Sequence, residues 1–185
     1  MKMRIPALFL FASLALAACS DDNGVNPGDL DRGDFEGTVR GEFSADVNGS
    51  AESGNTPGFG QDQILLTDVS EETIIFVAHS DDEFTEGRES LAGITDDSGI
   101  FAGIVVGNRV FFADGGTLDI DDVSSGGIEG TVEFTAIEVN PNTQQILDDE
   151  VTVDVAFNTD YDSTCCGLFN VGSVRSISIN KVRVR

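Results

Sequence analysis

The chain has no tryptophan, one tyrosine, one histidine, three cysteines and ten basic residues in a length of 185. Each shortage removes a class of chemistry. Without tryptophan and with a lone tyrosine, a stacking platform for bases or sugar rings has little support. A single histidine, His79, excludes zinc centres built on several imidazoles. It ends the run "TIIFVAH" beside Ser80 and Asp81, and neighbours on an extended chain point to opposite faces, so the three do not form a triad by adjacency. Ten cations against 33 acids repel nucleic acid and anionic headgroups, which makes both poor partners. The chain also lacks a Gly-x-Ser-x-Gly elbow, a Walker loop and a dinucleotide fingerprint. The apolar run from Ile5 to Ala15 falls short of the roughly 20 residues that a membrane-spanning helix needs.

That run has another use. In "MKMRIPALFLFASLALAACSDD", Lys2 and Arg4 precede the apolar stretch and small residues lead to Cys19, the layout of a secretory signal. Leu16-Ala17-Ala18-Cys19 resembles the lipobox of bacterial lipoproteins. The resemblance implies cleavage before Cys19, a diacylglycerol on its thiol and acylation of the new amino terminus. Two or more chains acting together hold firmly, at about 0.8 kcal/mol per buried methylene. Ser20 in place of Asp after the cysteine implies, by likeness to sorting in enteric bacteria, the outer membrane. With residues 1–18 removed, eight cations remain against 33 acids, a formal charge of −25.

Residues 20–34, "SDDNGVNPGDLDRGD", hold five aspartates and only Val25 and Leu30 as bulky apolar groups. Such a stretch buries too little to offset its chain entropy, so 19–34 is expected to be a disordered tether carrying the lipid. Residues 35–185 suit one domain.

From Phe35 onward the chain alternates. Val39, Gly41, Phe43, Ala45 and Val47 share one face of a strand expected to run into an Asn48-Gly49 turn. Ile128, Gly130, Val132, Phe134 and Ala136 repeat the pattern, as do Val151, Val153, Val155 and Phe157. Further strands are expected near 63–68, 73–79, 100–106, 109–113, 117–123 and 172–184, the last with a bulge at Asn180-Lys181. Turn signals at 96–99, Gly107-Asn108, Gly115-Gly116 and 124–127 separate them. About nine short strands and no helical period predict an all-β fold, an antiparallel sandwich or barrel. Thirteen phenylalanines supply its bulk.

The order "GEFSADVNGSA", "GGTLDIDDVSSGGIEGTVEFTAIE" and "VTVDVAFN" resembles a group of uncharacterised bacterial lipoproteins with an all-β domain. The likeness covers about two thirds of the domain, rests on strand grammar and implies the fold but no activity.

Candidate sites are few. Acids cluster at 80–89, 118–125 and 158–164, and calcium is the cofactor they suggest, with Asp81, Asp82, Asp119, Asp121, Asp160 and Asp162 as weak candidate ligands. None fits an EF-hand: counting from Asp160, Cys165 takes the place of the invariant Gly and Val171 that of the Glu. Clusters of this kind also arise from composition alone. Once Cys19 is assigned to lipid, Cys165 and Cys166 remain, and an oxidising compartment makes a disulfide the default. Neighbouring Cα atoms lie about 3.8 Å apart where a disulfide needs about 4.4 Å or more, so a Cys165–Cys166 bridge is strained. Free thiols and an intermolecular bridge are the alternatives, with a redox role last. Arg175, Lys181, Arg183 and Arg185 make half of the mature cations. They form either a docking stripe for an anionic partner or cross-strand pairs with an acidic face such as Thr152/Asp154 or Glu129/Glu133.

The expected function is a lipid-anchored, non-catalytic binding or scaffolding domain of the cell envelope, its partner an envelope protein or a small ligand. A lipocalin-like carrier of an apolar molecule and a carboxylate-based enzyme acting on envelope glycans are the alternatives. A thermal melt of residues 20–185 tests the calcium reading. Bound calcium raises the midpoint at millimolar concentration, and an unmoved midpoint removes the metal.

Overall fold

A computed structural model describes residues 25–55, 62–80, 83–96 and 98–162. The strands are β1 (Asp34–Gly41), β2 (Ala45–Asn55), β3 (Asp62–Asp68), β4 (Thr73–His79), β5 (Gly87–Ser90), β6 (Ile100–Val106), β7 (Arg109–Ser124), β8 (Gly127–Val139), β9 (Ile146–Asn158) and β10 (Asp160–Tyr161). Eight of them form a closed antiparallel meander. Each strand pairs with the next in the chain, β5 excepted, and β9 returns to pair with β1. β1 also pairs with β2, from Asp34↔Ser50 to Val39↔Ala45, which completes the circle. β5 lies against β7 and β10 adds to β2 in parallel.

Alternation decides what the circle encloses. Val39, Ile64, Leu66, Ile75, Ile104, Phe111, Val132, Val153 and Phe157 point inward and are 0% exposed. Their complete burial makes the interior a packed core, as eight strands allow. One end, the upper, carries the connections at 42–44, 69–72, 107–108 and 140–145; the lower end carries 25–33, 83–86, 125–126 and 159–162. There Phe84, 3% exposed, stops the barrel and donates its backbone N–H to Asp62 Oδ2 at 3.2 Å.

Several expectations need correction. Asn48-Gly49 is not a turn: β2 runs through it, and the chain reverses at Glu42-Phe43-Ser44. A side chain at position 49 would collide with the Thr67 carbonyl, so the glycine serves close packing of β2 on β3. Gly115-Gly116 is likewise no turn but part of a bulge that joins 109–113 and 117–123 into the single strand β7. Residues 25–34, expected to belong to a disordered tether, are folded against the barrel. Asn26 caps a 3₁₀ turn at Pro27–Asp29, Pro27 is buried, and Gly33 bonds both to Asn158 O and to Ala51 N. A segment too polar to fold alone is ordered here because the barrel end supplies its partners. The strand expected at 172–184 and the bulge within it lie outside the described residues.

Replacing Phe157 with alanine removes a ring that is 0% exposed, and the expected loss is about 3–5 kcal/mol of stability in urea unfolding.

Candidate functional site

At the upper end the β6–β7 hairpin turns at Gly107-Asn108 and places Arg109 on the inward side of β7. Its Nη2 donates to Glu138 Oε2 at 2.6 Å and to Asp149 Oδ2 at 2.6 Å. The guanidinium carbon sits 5.0 Å from the centre of the Phe111 ring, which Phe43 meets edge to face at 5.9 Å. A cation over a π-face with two carboxylates around it thus closes the mouth of the core. The hydrogen bond from Arg109 holds the Glu138 carboxyl below its ordinary acidity range, against the opposing effect of burial, and the guanidinium charge adds to it. Glu138 in turn raises Arg109 further. Arg109 and Glu138 thus hold one another ionised at this rim.

Asp68, 2% exposed, organises the neighbouring β3–β4 hairpin. Its carboxylate accepts from the backbone of Asn48, Ser70 and Glu71 and from the Ser70 hydroxyl at 2.6 Å. Burial pushes its pKa up, but these four donors outweigh burial and lower it. Both carboxyls are shifted away from what a general acid requires.

A groove of roughly 410 Å³ opens on the outer wall where the bulge displaces Asp114. Arg88, Thr117, Glu133, Thr135 and Thr152 line it, with Arg88 Nη2 3.4 Å from Thr117 Oγ1. Asp114 and Glu133 are exposed to solvent. Three hydroxyls and ions of both signs suit a small polar ligand, but nothing there desolvates a carboxylate for acid–base chemistry.

The structure scatters the candidate residues. Asp160 is on β10 beside Glu52, and Asp162 follows it, its N–H bonded to Ser53 O. Asp119 lies between Arg88 and Thr131 in the ladders of β7, and Asp121 sits in a second bulge. No group of three or more His, Cys, Asp or Glu placed to hold a metal occurs among the described residues. His79 ends β4 with its ring 6.1 Å from that of Phe84. Cys19, Asp81, Asp82, Cys165, Cys166, Arg175, Lys181, Arg183 and Arg185 lie outside the described residues. Sequence reasoning passed over Arg109, though it carried a signal: it is the only cation between Arg88 and Arg175.

The molecule is defined so far by its class, a closed eight-stranded antiparallel barrel with a filled core. Comparison with protein-family models, curated proteins and solved structures finds no match.

The Asp68 carboxyl is more acidic folded than its ordinary value of 3.8. Its contribution to stability is therefore present above the unfolded pKa and disappears as pH falls through the lower folded one. Asp68→Asn is expected to lose about 1–3 kcal/mol at pH 7, with the gap to wild type closing as unfolding is measured at successively lower pH. A gap that stays constant under strong acid assigns the loss to packing instead.

Proposed function

We propose that the protein is a lipid-anchored barrel of the bacterial cell envelope, held through Cys19 and acting by binding or scaffolding on its outer surface. The observation that carries this reading is the filled interior. Residues such as Ile64, Ile104 and Val153 are 0% exposed, which leaves no room inside for an apolar cargo and removes the support for a carrier. The perturbed carboxyls, Asp68 and Glu138, are both lowered, and the acids of the open groove are solvated. Among the described residues this favours binding over hydrolysis of glycans. Binding is left to the outside.

Orientation follows from the order of the chain. Residues 25–33 join the barrel at its lower end, so the segment leading back to Cys19 reaches it from that side. The upper rim, with Arg109, Glu138 and the exposed Val69, then faces away from the membrane. The formal charge of −25 after cleavage favours a basic protein partner over nucleic acid.

Expression of the full chain with labelled palmitate tests the anchor. The wild-type protein is expected to take up label and sediment with membranes, while Cys19→Ser remains unlabelled and soluble. Sedimentation of the Cys19→Ser chain with membranes in the absence of label overturns the reading.

A further inference from the structure

The groove on the outer wall lies where β7 changes partner. From Arg109 to Phe112 it pairs with β6, and from Thr117 to Ile120 with β5. At the seam the register shifts between Ala113 and Gly115, and the Leu91 N–H closes on the Gly116 carbonyl. Two glycines shape the hollow. A side chain at Gly116 would collide with the Glu133 carbonyl and with Phe134, so its absence lets β7 lie close on β8. Gly115 has open space where a side chain would stand, with nothing within 4 Å. The floor of the groove is bare for that reason.

The polar groups facing the hollow are left without partners. Arg40 and Arg109 each hold a carboxylate, but Arg88 forms no ion pair among the described residues. Its register partner is Asp119, and Glu133 lies one strand further on, opposite Thr117. The guanidinium leans instead on Thr117, with Nη2 3.4 Å from the hydroxyl oxygen. Thr135 and Thr152 stand opposite one another on β8 and β9, and their hydroxyls make no hydrogen bond among the described residues. The charges follow an order along the groove. Arg88 and Glu133 flank Thr117, held apart by roughly one strand spacing, about 4.8 Å. Asp114 lies three residues further up β7, beyond the glycines and near Thr135.

We propose that this groove binds a basic α-amino acid. The ligand carboxylate meets the Arg88 guanidinium and the Thr117 hydroxyl, its α-ammonium meets Glu133, and its side-chain cation reaches Asp114, with Thr135 and Thr152 accepting the remaining donors. Charge decides the class: the groove sets one cation against two carboxylates, which a zwitterion carrying one further positive charge neutralises. A sugar fits less well, because Phe134, the ring beside the groove, is 1% exposed and offers no face for stacking. The volume of roughly 410 Å³ is at the small end of ligand pockets, about 300–1,000 Å³. This site rests on the outward-facing binding role proposed above and not on the anchor at Cys19, so its failure leaves the outcome of palmitate labelling untouched.

Calorimetric titration of the full chain, purified in detergent, with L-lysine tests the proposal. Saturable binding at one site is expected by millimolar ligand. Norleucine, Nα-acetyl-lysine and lysine amide each lack one of the three charged groups and are expected to bind more weakly by roughly tenfold or more. Arg88→Gln and Glu133→Gln are expected to lose a similar factor, whereas Glu36→Gln, on β1 outside the groove, binds as wild type does. All three positions are exposed, and circular dichroism of each variant confirms that the barrel has formed. Absence of saturable binding, analogues that bind as well as lysine, or affinity unchanged in Arg88→Gln overturns the proposal. Equal losses in Glu36→Gln and Glu133→Gln overturn it too, since they mark general attraction to an acidic surface.

Discussion

Everything in this structure depends on β1 having two neighbours. It takes β2 from the next stretch of chain and β9 from more than a hundred residues later, so that Gly37 stands between Val47 and Val155. The approach to β9 is close enough that a side chain at Gly37 would collide with the Asp154 carbonyl and with Val155. The β1–β2 hairpin closes a short loop and the β1–β9 pair a very long one, whose entropy must be met before its hydrogen bonds count. Once made, the pair removes the free edges that an open sheet would expose to other chains.

Closure creates two ends, and each is finished differently. Phe84 and its bond to Asp62 stop the lower end with an apolar plug. At the upper end a plug would have to share space with hairpins, and the protein uses Arg109 instead, its guanidinium over Phe111 and its charge met by Glu138 and Asp149. Asp68 serves the adjacent hairpin in the same manner, one carboxylate taking three donors from the turn and the Asn48 N–H from β2. Charges in this chain thus act as local fasteners at the rim of an apolar core.

The distribution of charge follows the closure of the barrel. The arrangement is opposite to that of a membrane-spanning barrel, which is apolar all round its outer band and polar within. Here the interior is apolar and the wall formed by β9, β1 and β2 is charged. The outward positions across β3, β4 and β6 carry no charge, so the exterior of the barrel has two unlike sides. The groove at the Gly115-Gly116 bulge and the Arg109 rim are separate features on this exterior, and neither brings together the parts of a catalytic centre.

Much of the fold was legible in the chain because a strand reports its own period. The strands 73–79 and 100–106 and the parity of Val39, Val132 and Val153 follow from alternation alone, since a one-residue shift would send every apolar side chain into water. The core was readable for the same reason. Local turn chemistry misled at Asn48-Gly49 and Gly115-Gly116, where glycine answers to a neighbouring strand; that neighbour, Thr67 in one case and Glu133-Phe134 in the other, is distant in sequence. The acidic clusters suggested calcium by proximity along the chain; residues two apart on a regular strand share a face, but Asp119 stands in the ladder while Asp121 falls in the bulge that breaks the register. Arg109 meets its two carboxylates from β8 and β9 only after the barrel has closed. The chain by itself determined the strand period and the apolar face, because these are local patterns. Tertiary structure alone decided barrel over sandwich, the filled interior and the partners of each charge, because these depend on which distant strand lies alongside.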